Sequence, residues 1–202
     1  MNIVAIMGSY RKGKTIDTLL DRAIDGAKAA RPDANIDKIA LIDKQITYCA
    51  NCMTCRSDPA TPYARCVIDD DMQAIYPLLA AADAYIFGTP INDGHETAIM
   101  KAFLERVTYV FSRPNPNSFP AKNIPEPRVK DRRKTAIILV SAGVVPPIFR
   151  RFCDEATPLL KDMCNMCFNA RVIGSLYAGA IQTRGVQPYL EKAYQLGRQL
   201  AA

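Results

Sequence analysis

Gly8-Ser9-Tyr10-Arg11-Lys12-Gly13-Lys14-Thr15 follows directly on the apolar run Ile3 to Met7, and its reading decides the fold. A strand-length apolar run, a turn of small residues and a helical stretch bring free backbone N–H groups and the positive end of a helix dipole to one point, which suits an anion. Letter by letter the stretch satisfies G-x-x-x-x-G-K-T, the Walker A pattern, in which N–H groups and a lysine cradle nucleotide phosphates. The loop predicts a phosphate ligand; the rest of the chain decides which molecule carries it.

The chain has 202 residues, 49% of them hydrophobic, enough to bury a substantial core within one domain spanning residues 1–202. Met1-Asn2-Ile3 leads at once into the first apolar run, with no basic region or small-residue cleavage site behind it, and no apolar run reaches the length of a bilayer span. A cytoplasmic protein without membrane association is expected. The net charge of +6 at pH 7 is modest and lies largely in Arg128 to Lys134, not along a helix face interleaved with aromatics. Nucleic acid is therefore not an expected partner, whereas an anionic cofactor or substrate suits the charge.

Apolar strands alternate with amphipathic helical stretches, the pattern of an α/β protein with a parallel sheet. Strands are predicted at Asn2 to Met7, Ala34 to Leu41, Ala84 to Gly88, Thr135 to Ser141 and Ala170 to Leu176. Helices are predicted at Lys14 to Ala30, after Asp69-Asp70-Asp71, at Glu96 to Phe111, around Phe149 to Phe168, and at Val186 to Leu200. The three aspartates read as caps that compensate a helix dipole. Ser112 to Arg133 carries five prolines and several basic residues; this insertion loop (112–133) cannot be a regular helix or a central strand.

A Walker A protein needs a second element, an aspartate near the end of another strand that holds magnesium against the phosphates. Asp83 precedes its strand, and the fourth strand ends at Ser141, which weakens the nucleotide-hydrolysis reading. Those strands end instead in small, turn-rich loops: Thr89-Pro90-Ile91-Asn92-Asp93-Gly94-His95, and Ser141-Ala142-Gly143. Ligands of open α/β sheets bind outside the carboxyl ends of strands, at the switch point of strand order. One loop would hold a phosphate and its neighbours a flat ring.

Seven cysteines in an intracellular chain read as metal ligands, redox thiols or small hydrophobes. Cys49, Cys52, Cys55 and Cys66 form C-x2-C-x2-C-x10-C. Four thiolates on one loop satisfy an iron–sulfur cluster, zinc uses the same ligands, and reduced or reversibly oxidised thiols are the third reading. Cys164 and Cys167 share a helix face with Met163 and Phe168 and read as core.

The Gly8-Ser9-Tyr10-Arg11 loop, this cysteine cluster leading to Cys66-Val67-Ile68-Asp69-Asp70-Asp71-Met72, the Gly88-Thr89-Pro90 loop and Ala98-Ile99-Met100-Lys101-Ala102-Phe103 together resemble the flavodoxin-like NADPH-dependent FMN reductase family, with its iron–sulfur flavoprotein relatives. The resemblance covers most of the chain outside the proline-rich insert. It implies a flavodoxin-like three-layer sandwich, a five-stranded parallel sheet in the order 2-1-3-4-5, and FMN as cofactor with NAD(P)H as cosubstrate. It also implies that Ser9, Arg11 and Thr15, with Lys14 as an extra charge, hold the FMN phosphate. Pro90, Ile91, Asn92, Asp93 and Gly94 would pass along the isoalloxazine, and Ser141, Ala142 and Gly143 would close its other side. Here Tyr10 replaces the more common proline, and one residue fewer precedes Thr15. The flavin carries the hydride chemistry, so no catalytic side chain is required, although His95 sits in the flavin loop. The resemblance further implies a [4Fe–4S] cluster on Cys49, Cys52, Cys55 and Cys66, a homo-oligomer (dimer or tetramer), and a small-molecule or protein electron acceptor.

Overall fold

The computed structural model describes residues 1–202. In chain order the elements are β1 (Asn2–Met7), α1 (Thr15–Ala30), β2 (Asn35–Ala40), the one-turn α2 (Thr54–Ser57), α3 (Met72–Ala81), β3 (Ala84–Pro90), α4 (Ala98–Phe111), β4 (Ser112–Asn115), β5 (Ile124–Pro127), β6 (Lys134–Ser141), α5 (Ala156–Phe168), β7 (Ala170–Ala178), the short α6 (Ile181–Arg184) and α7 (Gln187–Ala201). The five strands β2-β1-β3-β6-β7 pair in that order, all parallel. Counted among the sheet strands alone this is 2-1-3-4-5, the flavodoxin-like arrangement expected from the sequence.

Period-two alternation along the strands divides the core into two layers. Ile3, Ala5 and Met7 of β1 face α1 and α7, together with Ile86, Ile137 and Leu139. Val4 and Ile6 face the opposite way, with Tyr85, Phe87, Ile138 and Val140, against α3, α4 and α5. Helices thus cover both faces of the sheet. The α1 and α7 backbones meet without side chains between them: a Cβ on Gly197 would lie 1.8 Å from Ala23 O, and one on Gly26 would lie 2.0 Å from Tyr194 O.

Three local expectations change. The helix predicted around Phe149 to Phe168 is broken: Pro147–Phe152 is a 3-10 turn, and α5 begins only at Ala156. The cause is Asp154, whose carboxylate accepts the Thr157 N–H at 2.9 Å and starts a new helix in the manner of an N-terminal cap. The proline-rich insert is a short antiparallel ribbon, β4 with β5, in which Pro114 faces Pro125 and Arg113 faces Glu126. Prolines are tolerated there because a two-stranded ribbon has free edges. Of the three aspartates before α3, Asp70 does cap, accepting from Met72 N–H at 3.0 Å, but its carboxylate also binds a buried arginine described below.

Candidate functional site

The loops after β1, β3 and β6 lie side by side and are laced together in strand order. Gly8 N–H donates to Gly88 O at 2.7 Å. The Thr97 hydroxyl donates to Gly8 O at 2.6 Å and accepts from Met100 N–H at 3.3 Å, so one side chain caps α4 and pins the first loop. Ile91 N–H donates to Ser141 O at 2.8 Å, and Ala142 N–H to Ala178 O at 2.9 Å. Gly8 is favoured by close approach: a Cβ there would meet Met100 Cβ at 2.9 Å.

At the first loop Ser9 is buried, Arg11 and Lys14 are exposed, and Thr15 is half-buried. Lys14 is the N-cap of α1 in extended conformation, and no side chain caps the helix. Its first-turn N–H groups therefore keep the capacity to bind an anion. The Gly13 N–H does not share this freedom, because it donates to Asp17 Oδ2 at 2.5 Å. Burial opposes the charge of Asp17, yet the Gly13 N–H and the Lys38 ammonium hold its carboxyl below its ordinary range. That carboxylate occupies a donor a Walker loop would offer to phosphate, so Gly13-Lys14-Thr15 fits the Walker pattern in letters only. The exposed Arg11 and Lys14, the uncapped helix start and the glycine-tight approach at Gly8 do fit a single phosphate of FMN.

At the second loop Pro90 and Ile91 are half-buried. Asn92 and His95 pair across a tight turn, with N–H to O distances of 2.8 and 3.0 Å. Asp93 and Gly94 take φ of 52° and 84°, the left-handed pair of a type I′ turn for which Asp-Gly is suited. His95 is exposed on this turn. At the third loop Ser141 and Ala142 are buried and Gly143 is exposed. Sequence reasoning passed over Thr97 and Glu96. Glu96 is 8% exposed, and one of its carboxylate oxygens has no partner; its nearest cation is Lys101, at 3.9 Å.

The four clustered cysteines border one small cavity together with Arg106 and Tyr109. Asn51 and Met53 adopt left-handed φ of 51° and 65°, which curls the segment from Cys49 to Cys55 around that cavity. Asn51 N–H donates to Cys49 Sγ at 3.4 Å. Burial, reinforced by the neighbouring cysteines, pushes the Cys55 thiol up, whereas hydrogen bonding with Thr54 brings the exposed Cys52 down. No three His, Cys, Asp or Glu side chains converge closely enough to share a single metal ion. Four cysteines lining one cavity are the donor set that a four-iron centre takes, one thiolate to each iron. Cys164 and Cys167 are buried core residues as expected, with burial pushing Cys167 up to about 12.

A parallel sheet in this order, with its candidate ligand loops at the carboxyl ends of β1, β3 and β6, defines an α/β protein of the flavodoxin-like class. The sequence profile of the NADPH-dependent FMN reductase family matches residues 1–145, and the chain belongs to that family. It is similar to an iron–sulfur flavoprotein of Methanosarcina thermophila, 33% identical over 106 residues that make up 52% of each chain. The chain spans about half the length of the curated relatives it matches. Among solved structures it is similar to the azoreductase AzrA (TM-score 0.71, 14% identity, 98% of this chain and 100% of that one). It is also similar to an NAD(P)H:quinone oxidoreductase from Methanothermobacter marburgensis (TM-score 0.69, 15% identity, 99% and 98%).

Proposed function

We propose that this chain is an FMN-dependent NAD(P)H oxidoreductase that passes electrons from reduced nicotinamide through bound FMN to a small-molecule or protein acceptor. The observation that carries the reading is the meeting of three loops on adjacent strands, one ending at an uncapped helix start and two built of small residues. Family membership supports it. Ser9, Arg11, Lys14 and Thr15 hold the phosphate. Pro90 to Gly94 and Ser141 to Gly143 flank the ring, with exposed His95 available as a hydrogen-bond donor at its edge. FMN supplies the hydride chemistry when bound; the protein binds and orients it. No helix is long and apolar enough to cross a membrane; the reading places the protein in the cytoplasm as a homo-oligomer whose second copy completes the flavin site.

The test is retention of FMN by the purified, FMN-supplemented chain and bleaching of its visible absorption by NADPH or NADH. Arg11→Ala and Ser9→Ala are each expected to weaken FMN binding about tenfold, the ~1.4 kcal/mol of a charge-assisted or neutral hydrogen bond. Protein that retains no flavin sinks the proposal.

A second reading, an iron–sulfur flavoprotein that relays electrons to a protein partner, is favoured by the four cysteines around one cavity and by the name of the Methanosarcina relative. Cys49, Cys52, Cys55 and Cys66 would hold the cluster. Iron and acid-labile sulfide in anaerobically purified protein separate the two readings; absence of both removes the second.

A further inference from the structure

Two arginines in this protein are buried, and both serve the loop that carries the cysteines. Arg106 on α4 is 2% exposed and Arg128, just after β5, is 6% exposed. A guanidinium enters a protein interior only when its donors find acceptors. Arg106 Nη1 donates to Thr47 O at 2.7 Å and to Asp70 Oδ2 at 2.5 Å. Its Nη2 donates to Asp70 Oδ1 at 3.1 Å and to Cys66 Sγ at 3.4 Å. Arg128 donates to Cys55 O at 2.6 Å, Asp58 O at 2.7 Å and Ala60 O at 3.2 Å. The cysteine loop therefore hangs on two guanidiniums, one beside Cys66 and one behind Cys55, and each keeps a buried Nε–H without an acceptor.

Asp70 answers Arg106, the Asp58 carboxylate acts on the charge of Arg128, whose nitrogens donate to backbone carbonyls, and Glu105 borders the cavity. An oxidised four-iron centre with four thiolate ligands is a dianion, which a guanidinium donor beside one of its sulfurs favours. Arg106 borders the cavity and aims a donor at a cysteine sulfur. Hydrogen bonds to sulfur and local charge are the means by which a protein sets the potential of such a centre.

We propose that Arg106 is a positioning residue for an iron–sulfur centre on Cys49, Cys52, Cys55 and Cys66, orienting Cys66 and raising the centre's reduction potential. This rests on the cluster reading above and adds to it what tunes the centre. The full chain is purified and reconstituted anaerobically with iron and sulfide, with FMN retention as the check on folding. Wild type is expected to hold iron and sulfide. Arg106→Lys keeps a cation but loses the guanidinium fork. It is expected to retain FMN and to carry the centre at a midpoint potential lower by about 59 mV, a tenfold change in a one-electron equilibrium. Arg106→Met combined with Asp70→Asn removes the buried pair together and carries the test if the lysine variant loses FMN. Loss of iron with FMN retained supports the role of Arg106. An unchanged potential in either loaded variant overturns it, and wild type that takes up no iron overturns the cluster reading beneath it.

Discussion

Asp70 shows how much one carboxylate decides in this protein. Burial disfavours its charge, but the Arg106 guanidinium and the N–H groups of Thr47 and Met72 prevail and hold it below the usual carboxylate range. A carboxyl whose pKa is depressed by folding contributes stability above its unfolded value, near 3.9, and loses that contribution as pH falls through its folded value. Asp70→Asn strands Arg106 and is expected to cost about 3–5 kcal/mol at pH 7, with the gap to wild type narrowing below roughly pH 4; urea unfolding at several pH values measures both. A pH-independent difference would assign the loss to shape instead of charge. Neither the pair nor the burial of Arg106 was legible in the sequence. On a helical wheel Arg106 falls on the same side as Phe103 and Val110, but an arginine there reads as reaching out to solvent along its apolar stem unless an acidic partner is known, and its partner stands 36 positions away. The aspartate run was visible, but only its capping role followed from local chemistry.

At the scale of elements, the crossing of α1 and α7 is the least forgiving contact. With Ala23 O at 1.8 Å from the site of a Gly197 Cβ, Gly197→Ala must separate two helices, and a loss of about 3 kcal/mol or more is expected. Thermal unfolding of the variant checks it, and an unshifted midpoint would mean that the helices slide freely. Strand and helix periodicity made the five parallel strands and the main helices legible, because alternation of apolar residues is a direct image of two covered faces. Two elements were not legible in the same way. The β4–β5 ribbon is rich in proline, a residue that local reading assigns to irregular chain, and its pairing is set by register across the turn. The break before α5 depends on one side-chain-to-backbone bond, Asp154 to Thr157, inside a stretch that is otherwise helical in period.

At the scale of the whole molecule, FMN bound at the loops of β1, β3 and β6 would bridge the ends of three adjacent strands. A ligand held only by the folded state stabilises it by about 2.7 kcal/mol at a hundredfold excess over its dissociation constant, or roughly 5–10 °C for a chain of this size. Differential scanning calorimetry with and without FMN measures this, and riboflavin, which lacks the phosphate, should give a smaller rise if Ser9 to Thr15 hold that group. The turns at the ends of β1, β3 and β6 were legible because small, turn-rich segments at strand ends are a sequence property. Their lacing by Thr97 was not, since that hydroxyl reaches back across 89 positions to Gly8. Thr97 caps the helix on which Arg106 stands, nine residues or about 14 Å away, one fastened to the loop after β1 and the other to the cysteine loop. Helical phase therefore indexes one site to the other. A single residue inserted between them would turn Arg106 about 100° away from the cavity while leaving Thr97 in place, so changes in length belong in the turn of the β4–β5 ribbon and not in this stretch of α4.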